Sequence, residues 1–142
     1  MTKTLRIMNN NSGFVFDAAQ DDSNGLRLSG HFYRPDEQQF VLQPEQSSGK
    51  TCYRIVNKAR GTFVHGDDDG TGSLHMYPST NDRCQLFELQ DNGDGVFRMQ
   101  NIYSKYYIHG NDDGTSSLRM YKEKNNACQL FVFLVKTDTP WA

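Results

Sequence analysis

The chain has little cysteine, no long hydrophobic run, and no excess of either charge. Its 142 residues include three cysteines, Cys52, Cys84 and Cys128. An odd number with no closely spaced pair excludes a disulfide framework, and the absence of a short Cys/His cluster excludes tetrahedral zinc. The three read as small buried hydrophobes with reduced thiols. The longest apolar run covers only residues 130–135, against about 20 residues for a bilayer-spanning helix. Membrane insertion is therefore not expected. The first residues, Met1-Thr2-Lys3-Thr4-Leu5-Arg6, lack the apolar stretch of a signal peptide, so a cytoplasmic location is expected. Lys and Arg number 15 against 17 Asp and Glu, for a formal charge of -2. That balance lacks the basic excess of a nucleic-acid-binding surface. Also missing are Gly-x-Ser-x-Gly, a phosphate-binding glycine loop and His-Glu-x-x-His, so no enzyme chemistry is expected. No long stretch carries a 3.6-residue apolar period, which excludes a helical fold.

What is present is a repeat. Hydrophobic residues at 36% and 12 glycines suffice for the core of one domain, taken as 1–142. Three segments align, 5–50, 53–96 and 97–140. Each opens on an alternating run ending in Asn: Leu5-Arg6-Ile7-Met8-Asn9, Tyr53-Arg54-Ile55-Val56-Asn57, Phe97-Arg98-Met99-Gln100-Asn101. Each continues to Leu26-Arg27-Leu28, Leu74-His75-Met76 or Leu118-Arg119-Met120, and closes on Gln38-Gln39-Phe40, Gln85-Leu86-Phe87 or Gln129-Leu130-Phe131. Residues 65–87 and 109–131 are identical at 15 of 23 positions without a gap, too many for coincidence. Short alternating runs punctuated by Ser12-Gly13, Asn24-Gly25, Ser48-Gly49, Asp69-Gly70, Asn92-Gly93 and Asp113-Gly114 predict strands joined by tight turns. Strand starts are expected near Leu5, Phe14, Leu26, Phe40, Tyr53, Thr62, Leu74, Leu86, Val96, Tyr106, Leu118 and Leu130. Four strands in each of three units imply an all-β fold with pseudo-threefold symmetry. One unit alone cannot bury its apolar face, so the three share a core. Phe40, Phe87 and Phe131 occupy equivalent places and are its candidates.

These motifs resemble the ricin B-type β-trefoil lectins, whose signature is Gln-x-Trp; Phe stands for Trp in all three copies. Val15-Phe16-Asp17 and Asn24-Gly25-Leu26-Arg27-Leu28 resemble the Leu-Asp-Val and Asn-Gly-x-x-Val-x-Leu stretches of that family. The family's disulfide positions are apolar or small here, as in the cysteine-poor trefoil lectins of fungi and the hemagglutinin components of clostridial toxins. The resemblance implies a β-trefoil that binds carbohydrate.

It also implies where. In these lectins an Asp after the second strand takes two sugar hydroxyls, an aromatic after the third strand stacks on the sugar, and polar residues around Gln-x-Trp complete the ring. The Asp position carries Asp17, then His65 and His109; the aromatic position carries Ser29, then Tyr77 and Tyr121; the Gln positions are Gln38, Gln85 and Gln129. The candidate sites are thus His65, Asp67, Tyr77 and Gln85; His109, Asn111, Tyr121 and Gln129; and Asp17 with Gln38 and a platform from Tyr33 in the longer loop His31-Phe32-Tyr33. His65 and His109 offer a donor and an acceptor to a hydroxyl pair. With neutral ring nitrogens accepting from the sugar, binding should weaken between about pH 7 and pH 5, around the ordinary imidazole pKa of about 6.5. His75, aligned with Arg27 and Arg119, reads as a solvated strand-face residue. Asp69 and Asp113, with Asp21 as their counterpart, read as turn supports. The run Asp67-Asp68-Asp69-Gly70 lacks the alternating oxygen ligands and distal Glu of a calcium loop, and no metal or cofactor is expected. Cys84 and Cys128 beside Gln-Leu-Phe suit packing rather than nucleophilic attack.

The expected function is a non-enzymatic lectin, multivalent through its repeats, with glycoprotein or glycolipid glycans as partners; a homodimer is left open. The rival reading is a protein-interaction trefoil, either a protease inhibitor or a companion subunit of a larger enzyme or toxin complex.

Overall fold

Short alternating runs have one way to bury their apolar side chains, as half-buried strands with every second residue turned inward. The structure, a computed structural model, describes residues 4–18, 25–30, 36–66, 74–78, 83–110, 118–122 and 127–135. The described residues form twelve strands: β1 Thr4–Asn9, β2 Val15–Ala18, β3 Leu26–Ser29, β4 Phe40–Ser47, β5 Lys50–Asn57, β6 Phe63–Gly66, β7 Leu74–Tyr77, β8 Phe87–Asp91, β9 Val96–Asn101, β10 Tyr107–Gly110, β11 Leu118–Tyr121 and β12 Phe131–Val135. Each begins within three residues of its expected start. The alternation does not reveal the two single 3-10 turns, Arg83–Gln85 and Ala127–Gln129, which set down the Gln of the last two Gln-x-Phe motifs.

The pairing closes a ring. β1 pairs β4, β4 pairs β5, β5 pairs β8, β8 pairs β9, β9 pairs β12, and β12 returns to β1, all antiparallel. A closed ring leaves no free edge among its six strands. Three hairpins, β2–β3, β6–β7 and β10–β11, hang from it through β1, β5 and β9. β3, β7 and β11 meet one another where the hairpins converge. This is a β-trefoil.

The core fills the ring. Phe40, Phe87 and Phe131 are completely buried, as their repeat position predicts, and Phe16 meets Phe40 and Phe131 edge-on at 5.8 and 5.6 Å. Each such ring removed from water is worth about 1.5–3 kcal/mol. Cys52, Leu86 and Ile102 form a smaller cluster beside it, and all three cysteines are buried and outside any disulfide. Burial pushes the Cys52 thiol above its ordinary pKa, with Glu88 adding to the effect.

The three units are tied by asparagine. Asn9, Asn57 and Asn101 are buried, and each Oδ1 accepts from two turn amides that follow it: Asn11 and Ser12, Ala59 and Arg60, Tyr103 and Ser104. Each Nδ2 donates across to another unit, to the carbonyl of Cys128 (3.0 Å), Glu37 (2.9 Å) or Cys84 (2.8 Å). Those carbonyls belong to the residue just before Gln129, Gln38 and Gln85, so each Asn braces one turn of its own unit and the Gln of another. The close approach explains a glycine. A Cβ on Gly110 would lie 2.8 Å from Asn9 Nδ2 and 2.9 Å from Leu28 Cδ1.

The turns that follow these asparagines need a left-handed residue. Gly13 and Gly61 supply it at φ +75° and +68°, but the third unit has Lys105 at φ +68°. A side chain there costs free energy that glycine avoids.

Candidate functional site

Register decides which side chains share a face. In the β6–β7 hairpin, Phe63 lies opposite Tyr77 and His65 opposite His75; in β10–β11, Tyr107 lies opposite Tyr121 and His109 opposite Arg119; in β2–β3, Val15 lies opposite Ser29 and Asp17 opposite Arg27. The intervening residues, such as Val64, Met76, Ile108 and Met120, enter the core. The aligned candidates are therefore together on the face away from the core.

Behind each His stands its Gln. Gln85 and Gln129 are completely buried. Gln85 Nε2 donates to the Pro78 carbonyl at 2.9 Å and lies 3.2 Å from His65 Nδ1; Gln129 Nε2 donates to the Lys122 carbonyl at 2.8 Å and lies 3.2 Å from His109 Nδ1. Chemistry fixes the protons. A carbonyl only accepts, so the amide nitrogen must face it, and the second amide hydrogen then points to Nδ1. On the other side Arg54 Nη1, which only donates, reaches Gln85 Oε1 at 3.3 Å and holds the amide the same way round. Arg54 is itself anchored by Glu45 at 3.0 Å. Both imidazoles consequently accept at Nδ1 and carry hydrogen on Nε2. The sequence expectation has ring nitrogens accepting from sugar hydroxyls; here Nδ1 of each ring already accepts from the amide, and Nε2 is a donor. Protonation would put a hydrogen on Nδ1 against the amide's own and break the contact that seats the ring.

The His rings in turn support tyrosine. His65 and Tyr77 lie 5.1 Å apart between centroids at 44°, and His109 and Tyr121 5.2 Å apart at 47°. The second hairpin adds His75, 5.2 Å from His65 and 5.9 Å from Tyr77. His75 is half-buried in this aromatic cluster, not a solvated strand-face residue. The third hairpin adds Arg119, whose guanidinium carbon lies 4.4 Å from the Tyr121 ring centre. Alignment alone hides both, because their partners are fixed by cross-strand register. The signal available in the sequence is their place ten residues after the His, in the next strand of each copy.

The first hairpin differs. Asp17 is 1% exposed, takes Gln38 Nε2 at 3.4 Å and lies 3.9 Å from the guanidinium of Arg27, with Ser29 where the others have Tyr. Asp67, Asn111 and Tyr33 lie outside the described residues, as do Asp21, Asp69 and Asp113 and the acidic run 67–70. Among the described residues there is no group of three or more His, Cys, Asp or Glu side chains placed to hold a metal ion, and no helix long and apolar enough to cross a membrane.

Comparison with known proteins agrees with the β-trefoil fold. The family model for ricin-type beta-trefoil lectin domain-like proteins matches residues 36–120. No curated protein matches the chain in sequence. Among solved structures, the designed threefold-symmetric protein ThreeFoil superposes with a TM-score of 0.79 at 18% identity, covering 94% of this chain and 99% of that one. The Polyporus squamosus lectin bound to Neu5Aca2-6Galb1-4GlcNAc superposes at 0.82 and 15% identity, over 94% of this chain and 49% of that one. SeviL bound to asialo-GM1 saccharide gives 0.72 at 17%, over 94% and 97%. At these identities the likeness is one of fold.

Proposed function

The chain belongs to the ricin-type beta-trefoil lectin domain-like family, and from that premise we propose that it is a non-enzymatic, bivalent carbohydrate-binding lectin whose sites are the outer faces of the β6–β7 and β10–β11 hairpins. The observation that carries this reading is the duplicated chain of contacts from buried Gln to His to Tyr. A sugar offers a less polar C–H face and a set of hydroxyls, and needs a flat aromatic with fixed hydrogen-bonding groups beside it. Tyr77, 42% exposed, is such a platform, and the Nε2–H of His65 is the fixed donor next to it. The Gln side chains act from behind, by orienting the ring. Asp67 and Asn111, one residue beyond the glycine that follows each His, are assigned as further hydroxyl contacts.

A site with one tyrosine and a few hydrogen bonds binds a monosaccharide near millimolar, about -4 kcal/mol. Linked sites gain about 10²- to 10⁴-fold in avidity, and two hairpins a third of a turn apart suit bridging between glycan-bearing surfaces. This supports a role in recognition or defence, carried out through glycoprotein or glycolipid glycans. Three buried cysteines outside any disulfide support a reducing, cytoplasmic location and a place beside the cysteine-poor branch of the family.

A glycan array probed with the purified protein tests the reading. Retention of at least one glycan class, lost in a Tyr77→Ala/Tyr121→Ala double variant that keeps its circular dichroism, is the expected result. No retention at high protein concentration, with recovery of a protein partner instead, would establish the interaction-trefoil reading.

A further inference from the structure

The two proposed sites differ most in charge. Arg119 is exposed on β11, stacked at 4.4 Å on the ring of Tyr121 and directly opposite His109. Its equivalent on β7 is His75, opposite His65. A guanidinium is permanently charged, and stacking on an aromatic face leaves its planar edge of N–H donors free to take a carboxylate or sulfate in two parallel hydrogen bonds. The stack also holds it still, so little rotamer freedom is lost when an anion arrives. An imidazole has neither the fork of donors nor the permanent charge. The sequence around the sites leans the same way: the loop after His65 carries Asp67, Asp68 and Asp69, whereas the loop after His109 carries Asn111, Asp112 and Asp113. Over these residues together with Arg119 and His75, the third copy is two charges more positive than the second.

We propose that the β10–β11 site reads an acidic group on its glycan, a carboxylate or a sulfate ester, through Arg119, while the β6–β7 site takes the same glycan without preference for the acid. The inference rests on the lectin reading above and adds a ligand class to one of its two sites. Both sites hold the neutral part of the sugar on tyrosine; only the third gains from the anion.

The test uses single-site variants on an array that carries each glycan in matched neutral, sialylated and sulfated form. Tyr77→Ala leaves the β10–β11 site and should retain the acidic forms about tenfold better than the neutral parents, an advantage that falls as salt rises. Tyr121→Ala leaves the β6–β7 site and should show a ratio near one. Adding Arg119→His to Tyr77→Ala should bring its ratio to about one, and Arg119→Lys, which keeps the charge but not the fork, should give an intermediate value. Lys50→Ala, remote from both hairpins, should change nothing. A preference for the sialylated form alone identifies the carboxylate as the reading, and one for the sulfated form alone identifies the sulfate. A ratio near one in Tyr77→Ala, or one unmoved by Arg119→His, overturns the inference while neutral retention keeps the lectin reading standing. Loss of all retention in the wild-type protein removes both.

Discussion

The second and third units carry the same His and Tyr on their hairpins and the same Gln in the 3-10 turn that follows, yet they present them differently. Tyr77 is exposed and His65 half-buried, whereas Tyr121 is half-buried and His109 only 4% exposed. The buried machinery is alike in both, an amide at 3.2 Å from Nδ1 that also holds a strand-end carbonyl. One difference visible on the strands is the residue opposite the His. His75 joins the ring cluster from the side, and Arg119 lies over the tyrosine. Identity at the contact residues therefore does not make two sites equal. The cross-strand neighbour of the His differs, and with it the charge that stands beside the tyrosine.

Breaking the frame under one site and not the other should give the largest effect. Asn101 braces the carbonyl before Gln85, and Asn9 the carbonyl before Gln129. Asn101→Ala leaves that carbonyl and two turn amides without their partner and is expected to cost about 2–3 kcal/mol of stability. It should weaken the β6–β7 site more than the β10–β11 site, and Asn9→Ala should do the reverse. Thermal unfolding together with sugar titration of each variant checks both halves; equal losses at the two sites would contradict the bracing.

A smaller change sharpens the comparison. Gln85→Leu removes the donor to His65 and Pro78 and should cost about 1–2 kcal/mol. Its distinctive readout is the His65 tautomer. Nitrogen NMR at neutral pH should show Nε2–H for both His65 and His109 in the wild-type protein, and loss of that strict preference at His65 alone in the variant. Nδ1–H in the wild type would refute the proton assignment.

Much of this was legible in sequence, for local reasons. Strand positions follow from a period of two and from glycine turns, and the Gln, His and Tyr positions follow from aligning the copies. Burial of Phe40, Phe87 and Phe131 follows from the same alignment. What could not be read is what acts at long range or through geometry. The bond from Asn9 to Cys128 spans 119 residues, and nothing local marks it. The function of Gln as an orienter depends on the carbonyl and guanidinium around its amide, which no alignment of copies displays. His75 reads as solvated from the arginines at its counterpart positions, whereas the hairpin register puts it against His65.

Where the third unit departs from the other two in its turn, a gain in stability is expected. Lys105 stands at φ +68° where the others have glycine. Lys105→Gly should stabilise by about 0.5–1 kcal/mol, strain relief outweighing the added chain entropy. Equivalent unfolding midpoints for the two proteins would argue that the turn is unstrained.

The smallest effect lies on β8, within the second unit and facing Lys50 of the first. A hydrogen bond from Gln90 at 2.9 Å holds the Glu88 carboxyl below its ordinary pKa; desolvation opposes this, and Lys50 at 3.3 Å assists it. A carboxyl lowered on folding stabilises above its unfolded pKa, and that contribution is lost as pH falls through the folded value. Glu88→Gln should therefore cost less than about 1 kcal/mol at neutral pH and less than that near pH 3. Chemical denaturation at the two pH values measures it, and a difference that grows on acidification would have the wrong sign.

Two platforms per chain, each built on one tyrosine, is the central claim. Titration calorimetry with the neutral glycan that the array retains best tests it most directly. The account predicts about two sugars per chain in the wild-type protein, one each in Tyr77→Ala and Tyr121→Ala, and none in the folded double variant. The same stoichiometry in the wild type and both single variants would contradict it.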